Sequence, residues 1–132
     1  MNTLIRSAKI KDVVSICALI GEATNRGKVL KRSAADVRKT IGCFWVIEHD
    51  GHLIACGALE IYNKKLAEVR SLSVHHGYEK KGLATQLLQQ LLQEAKKKKI
   101  YEVLAITDKE NLFKRQGFSE QLQGQKPLFL RP

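Results

Sequence analysis

The chain has 132 residues, with 23 Lys plus Arg against 13 Asp plus Glu and a formal net charge of +10. That length suits one domain, residues 1–132, large enough to hold a core without disulfides or metal, and its charge favours an anionic partner. The apolar run Leu53–Leu59 is far too short for a membrane span, Met1–Ile10 lacks a signal-peptide core, and Cys17, Cys43 and Cys56 have neither disulfide-framework nor zinc spacing; the expected setting is the cytoplasm, with reduced thiols.

Thr3–Ala8 reads as a short extended opening. Asp12 is positioned to cap a helix with apolar positions Val13, Ile16, Cys17 and Ile20, which ends near Ala23–Asn25 before Gly27. Ser33-Ala34-Ala35-Asp36 has the form of a capping box for a second, short helix, stopped at Gly42. Phe44–Glu48 and Leu53–Ile61 are strands joined by the type I′ hairpin signal Asp50-Gly51. A turn at Asn63–Lys65 leads to a third meander strand, Leu66–Val74. Gly82 opens the most regular helix, with Leu83, Leu87, Leu88, Leu91, Leu92 and Ala95 in one stripe and a solvated end at Lys96–Lys99. Tyr101–Thr107 reads as a buried strand, which makes a βαβ unit with a parallel pair. A short helix over Glu110–Gln116 ends at Gly117, and Leu128–Leu130 is a candidate last edge strand, able to pair between subunits in a homodimer.

The segment Val74-His75-His76-Gly77-Tyr78-Glu79-Lys80-Lys81-Gly82-Leu83-Ala84 runs from a strand through a polar loop into a helix. Unpaired N–H groups and a partial positive charge sit at such a helix start. Gly82 and Ala84 let an anion approach those amides, and Lys80 and Lys81 add charge, which together suit a pyrophosphate. The Walker pattern is absent. His75 and His76 are adjacent, so they are expected to point apart and not to share a metal.

The order strand, two helices, three-strand meander, loop, long helix, strand, short helix resembles the GNAT N-acetyltransferase superfamily over nearly the whole chain. The resemblance rests on Ile5–Asp12, on Glu68-Val69-Arg70-Ser71-Leu72-Ser73-Val74, and on Asn111-Leu112-Phe113-Lys114-Arg115-Gln116-Gly117-Phe118, similar to the family's N-x-x-[FY]-x-x-x-G-F ending. It implies a mixed α/β (α+β) fold: an antiparallel meander, a parallel pair formed by the fourth and fifth strands, and flanking helices. A narrower resemblance, carried by Gly27–Ser33, Phe44–Gly51 and Cys56–Leu59, is to the acetyltransferase domain of N-acetylglutamate synthases, whose accompanying kinase domain has no counterpart in these residues.

The resemblance implies direct acetyl transfer from acetyl-CoA to a primary amine, without a metal. An ammonium has no lone pair at pH 7, so a base must take a proton. Glu68 is the candidate, directly or through water. Glu68, Arg70 and Leu72 share a strand face unless a bulge intervenes. The family's bulge would free the Leu72 N–H as an oxyanion donor, with Leu72, Ser73 and Val74 pairing with pantetheine. Lys80, Lys81, Gly82, Leu83, Ala84 and Thr85 would hold the phosphates, and Asn111 and Phe113 would border the pantetheine arm. Arg32, between the first two helices, would grip an acceptor carboxylate, an amino acid such as glutamate being one acceptor.

Four positions depart from the family pattern, the first being Lys80, where a second glycine is common. Glu79 stands where the phosphate loop has Gln or Arg, and is expected to face solvent or pair with a lysine. His76 stands where proline is frequent. Phe113 replaces the tyrosine that many members use as general acid, so the thiolate leaves unassisted or is served by Tyr78 or Cys56. Two other classes are consistent with the residues: a protein that binds acyl-CoA without turnover, and a basic nucleic-acid-binding module, the latter disfavoured by the small number of aromatic residues.

Overall fold

The computed structural model describes residues 1–132. Five strands form one sheet in the order β1-β2-β3-β4-β5. They are β1 (Leu4–Ser7), β2 (Phe44–His49), β3 (His52–Ile61), β4 (Leu66–Val74) and β5 (Glu102–Ala105). The first three pairings are antiparallel and β4–β5 is parallel. The helices are α1 (Val13–Asn25), α2 (Ala34–Lys39), α3 (Leu83–Lys97) and α4 (Glu110–Lys114).

Strand alternation sorts the core into two layers. Phe44, Val46, Cys56 and Ala58 face α1 and α2, where they pack with Val13, Ile16, Leu19, Ile20 and Val37. Leu59, Ala67 and Val69 face the leucine stripe of α3 at Leu88, Leu91 and Ala95. Farther along, Ile47, Ile54 and Ala55 meet Leu83 and Leu87. Gly57 lets the layers close: a Cβ there would lie 3.0 Å from Leu72 Cδ1 and 3.3 Å from Leu91 Cδ1.

The hairpin signal at Asp50-Gly51 is borne out, with φ of +51° and +78° at the two positions. Ser33 caps α2 by accepting the Asp36 N–H. Asp12 behaves differently from expectation. It starts α1 without a side-chain cap bond; its carboxylate accepts from the Lys9 N–H and pairs with Arg6, closing the preceding 3-10 turn. The second helix stops at Lys39, and Gly42 sits inside a further 3-10 turn. The fifth strand is shorter than Tyr101–Thr107 because only Glu102–Ala105 find partners on β4. Leu128–Leu130 forms no strand; the three side chains are exposed and nothing in the chain pairs with them.

Candidate active site

The sheet opens where β4 outruns β5. Leu66–Val69 pair with Glu102–Ala105, and from Arg70 to Val74 β4 has a strand partner on its β3 side alone. The β3 pairing is itself irregular. Cys56 opposes Ser73 and Ala58 opposes Arg70, so Ser71 and Leu72 together face Gly57. Ser71 takes a φ of +59° to make this bulge. The bulge turns both Arg70 and Ser71 toward α2, and it sets Leu72 among the apolar groups on the α3 side. The shared face of Glu68, Arg70 and Leu72 is thereby broken: Leu72 lies opposite the other two. Ser73 is buried and its hydroxyl donates to the Ser71 carbonyl.

Beyond β4, the chain makes a 3-10 turn at His76–Tyr78 and enters α3 through Gly82, whose φ is +79°. Lys80 is also left-handed at +63°. This alternation turns successive amides outward. The seven N–H groups from Glu79 to Thr85 donate to no acceptor in the chain, and the first amide of this helix to bond is that of Gln86, to the Gly82 carbonyl. Lys80, Lys81 and Gly82 are exposed around them. Such a concavity of unpaired amides at a helix start, next to an open strand edge, fits a pyrophosphate followed by an extended amide-bearing chain. Glu79 meets neither solvent alone nor a lysine. Arg26, at the end of α1, pairs with it and also donates to the Val74 carbonyl at 3.3 Å. The Arg26 hydrogen bond holds the Glu79 carboxyl below its usual range, so the charge that the loop would present to an anion is already neutralised by a guanidinium.

The α1–α2 side of the sheet carries a charged network. Glu60 on β3 accepts from Arg32 at 2.6 Å and from Arg70 at 2.7 Å. Arg32 also donates to Asp36, Thr40 and Ser71 and sits 5.3 Å over the Phe44 ring. Its side chain is 2% exposed, and four of its five N–H donors are taken within the chain. The expected free acceptor contact is therefore a buried tie between α2 and the sheet. Arg70 is the open one: its side chain is 32% exposed and donates through Nη1 to Glu60 alone. Glu68 lies across from Glu60 and accepts from the Tyr62 hydroxyl at 2.5 Å. That hydrogen bond to a carboxylate pushes the Tyr62 phenol up to about 12.

Phe113 is 6% exposed, set edge-on to Phe118 in the α3 layer, whereas Asn111 is exposed. Cys56 is fully buried, and burial pushes its thiol up to about 12, which removes it as a proton donor. Tyr78 stands edge-on to His75 and His49. The two histidines do not point apart. The turn replaces strand alternation, and their rings stack with centroids 4.5 Å apart.

Sequence reasoning missed Tyr62, Glu60, Arg70's open side and Arg26. Only Tyr62 had a usable signal: it opposes Leu66 across the Asn63–Lys65 turn, one diagonal from Glu68.

A model of the Acetyltransferase (GNAT) family matches residues 17–118. The chain belongs to this family, and the expectation of an acetyl-CoA-dependent N-acetyltransferase is borne out at that level. It is 31% identical over 119 residues to an uncharacterized N-acetyltransferase of Chlorobaculum tepidum, covering 90% of this chain and 77% of that one. It is 32% identical over 126 residues to the amino-acid acetyltransferase of Photobacterium profundum, covering 94% of this chain but only 29% of that longer protein. Among solved structures, N-acetylglutamate synthase from Neisseria gonorrhoeae, complexed with coenzyme A and N-acetyl-glutamate, superposes with a TM-score of 0.83 at 28% identity, over 90% of this chain and 28% of that one.

Proposed function

We propose that this chain moves the acetyl group of acetyl-CoA to the α-amine of an amino acid. The observation that carries the reading is the opening of β4 from β5 beside the run of unpaired amides from Glu79 to Thr85. The amides and Lys80 and Lys81 take the pyrophosphate. Leu72, Ser73 and Val74 pair with the pantetheine amides at the free strand edge, and Asn111 borders the same arm. The Leu72 N–H stabilises the oxyanion of the tetrahedral intermediate. Glu68 receives the ammonium proton, directly or through one water, and the freed nitrogen attacks the thioester carbonyl. The C–S bond then breaks, and the remaining extra proton on the attacking nitrogen passes to solvent. With phenylalanine at position 113, the thiolate departs as such, which its ordinary pKa of about 8.5 permits. The names of the amino-acid acetyltransferases and the N-acetyl-glutamate in the Neisseria complex support an amino-acid acceptor. Arg70 is the group to meet its carboxylate, since Nε and Nη2 make no bond within the chain, and Arg32 positions Glu60 and Ser71 beneath it.

The test is calorimetric titration with acetyl-CoA, followed by a thiol-release assay over amino acids and simple amines. The reading expects binding, and release with a carboxylate-bearing acceptor whose KM rises about tenfold or more in Arg70→Gln, the loss of one charge-assisted contact. Binding without release for any amine would identify a CoA-binding protein without turnover. Absence of binding would overturn the reading. No helix is long and apolar enough to cross a membrane; a cytoplasmic location and a homodimer, the latter checked by sedimentation, belong to the same proposal.

A further inference from the structure

Glu22 on α1 and His75 and His76 in the turn after β4 each offer one ligand atom, and these three atoms lie within 4.8 Å of one another. The neighbourhood is formed by the fold, since Glu22 is more than fifty positions away in sequence. His76 Nδ1 is 2.7 Å from Glu22 Oε1, and the His76 N–H points at the same oxygen from 3.3 Å. Gly77 N–H donates to His75 Nδ1, which sets the ring beside that of His76. An open cleft of about 490 Å³ adjoins the cluster and is lined by both Glu22 and His75. It gives an ion and its waters a way in.

We propose that Glu22, His75 and His76 bind one divalent transition ion of the zinc, cobalt or nickel type. Two imidazoles and a carboxylate are the donor set such ions prefer, with a remaining position for water. Ligand atoms around a tetrahedral zinc are about 3.4 Å apart, from bonds of about 2.0–2.1 Å. On that basis the His76–Glu22 pair, at 2.7 Å, opens by about 0.7 Å, and the wider separations, within 4.8 Å, close by at most about 1.4 Å. The side chains can do so: His76 is 65% and Glu22 31% exposed. The ion takes the place of the hydrogen bond between His76 and Glu22, and one ring nitrogen of His75 completes the set.

The ion takes no part in acetyl transfer. Its effect is on the loop that follows. His75 and His76 lead directly into Glu79–Gly82, and Glu22 also pairs with Arg26, the partner of Glu79. A metal bond would pin this loop to α1 and add positive charge beside the unpaired amides. Both effects favour an anion there, so metal and acetyl-CoA strengthen each other's binding by one common factor. The coupling rests on the proposed acetyl-CoA site; the metal site does not.

Titration of the whole chain with Co²⁺ and Zn²⁺, without acetyl-CoA, tests the site by itself. The expected result is one ion per chain, a d–d spectrum of nitrogen and oxygen ligation, and at least a tenfold weaker Kd in both His75→Ala and His76→Ala. A triple Cys17→Ser, Cys43→Ser, Cys56→Ala variant should bind as the parent does. No binding, thiolate charge-transfer bands, or unchanged affinity in the two histidine variants would overturn the proposal. A second titration with acetyl-CoA, with and without Zn²⁺, should show tighter binding with the ion. Unchanged acetyl-CoA affinity would refute the coupling, and metal binding without any acetyl-CoA binding would fault the acetyl-CoA reading and leave the metal site standing.

Discussion

Two ends of the same sheet are built in opposite ways. From Leu72 to Thr85 the candidate site is made of main chain: a bulge, a free strand edge and a run of amides without partners. On the α1–α2 side it is made of side chains: Arg32, Glu60, Arg70, Glu68 and Tyr62, tied by hydrogen bonds of 2.5–3.1 Å. A backbone site tolerates variation in side chain, and so Glu79 can stand in the phosphate loop once Arg26 has neutralised it. A side-chain site does not, because each charge there depends on a partner. The backbone end suits a ligand common to many enzymes, and the side-chain end suits an acceptor particular to one.

Substitutions can break this contrast. The largest effect is expected for Glu68→Gln, which removes the candidate base from the side-chain end. A loss of kcat of about 10²–10⁴ is typical of a general base, and acetyl-CoA affinity and thermal stability should hold. A proportional loss of acetyl-CoA binding would show that the two ends are not separate. Next comes Glu60→Leu. Arg32 is left as a buried charge without its main partner, at a cost of about 3 kcal/mol or more, read by urea unfolding. Adding Arg32→Met should recover most of it, since an apolar pair replaces the ionic one. An additive double variant would mean that the network is not coupled.

The backbone end should answer to Gly82→Val. A Cβ at φ +79° carries a strain of about 1–2 kcal/mol, and acetyl-CoA Kd should rise about tenfold while acceptor KM holds. The smallest effects are in pH. Tyr62 keeps its proton to about pH 12 because it donates to Glu68. In Glu68→Gln its ultraviolet titration should move down toward the ordinary phenol value near 10. The Arg6 hydrogen bond lowers the Asp12 carboxyl, so its contribution to stability is complete above about pH 4 and fades as pH falls. Asp12→Asn should flatten the acid limb of the stability curve; an unchanged limb would mean that the Arg6 pair contributes nothing.

The backbone end was the more legible in sequence, for a physical reason. Gly82 at a helix start, the Asp50-Gly51 turn and the leucine stripe of α3 are local, so a short window contains their cause. The meander strands were read to within a residue or so of their ends. The bulge at Ser71 was expected from the family resemblance alone, because it arises from register against β3 and no residue in β4 announces it. Arg32 was expected to be open, but its partners Glu60 and Ser71 come from other strands and enclose it. The same holds for Glu22, His75 and His76, which only the packing of α1 against the turn brings together. Leu128–Leu130 has strand-like composition, but no strand pairs with it.

The most direct test is an amide ¹⁵N–¹H correlation spectrum recorded during titration with acetyl-CoA. The account predicts that the amides of Glu79–Thr85 and Leu72–Val74 move first and farthest, and that those of Arg32 and Glu60 stay nearly fixed until an amino acid is added. Largest shifts at Lys96–Lys99, or none along Glu79–Thr85, would contradict it.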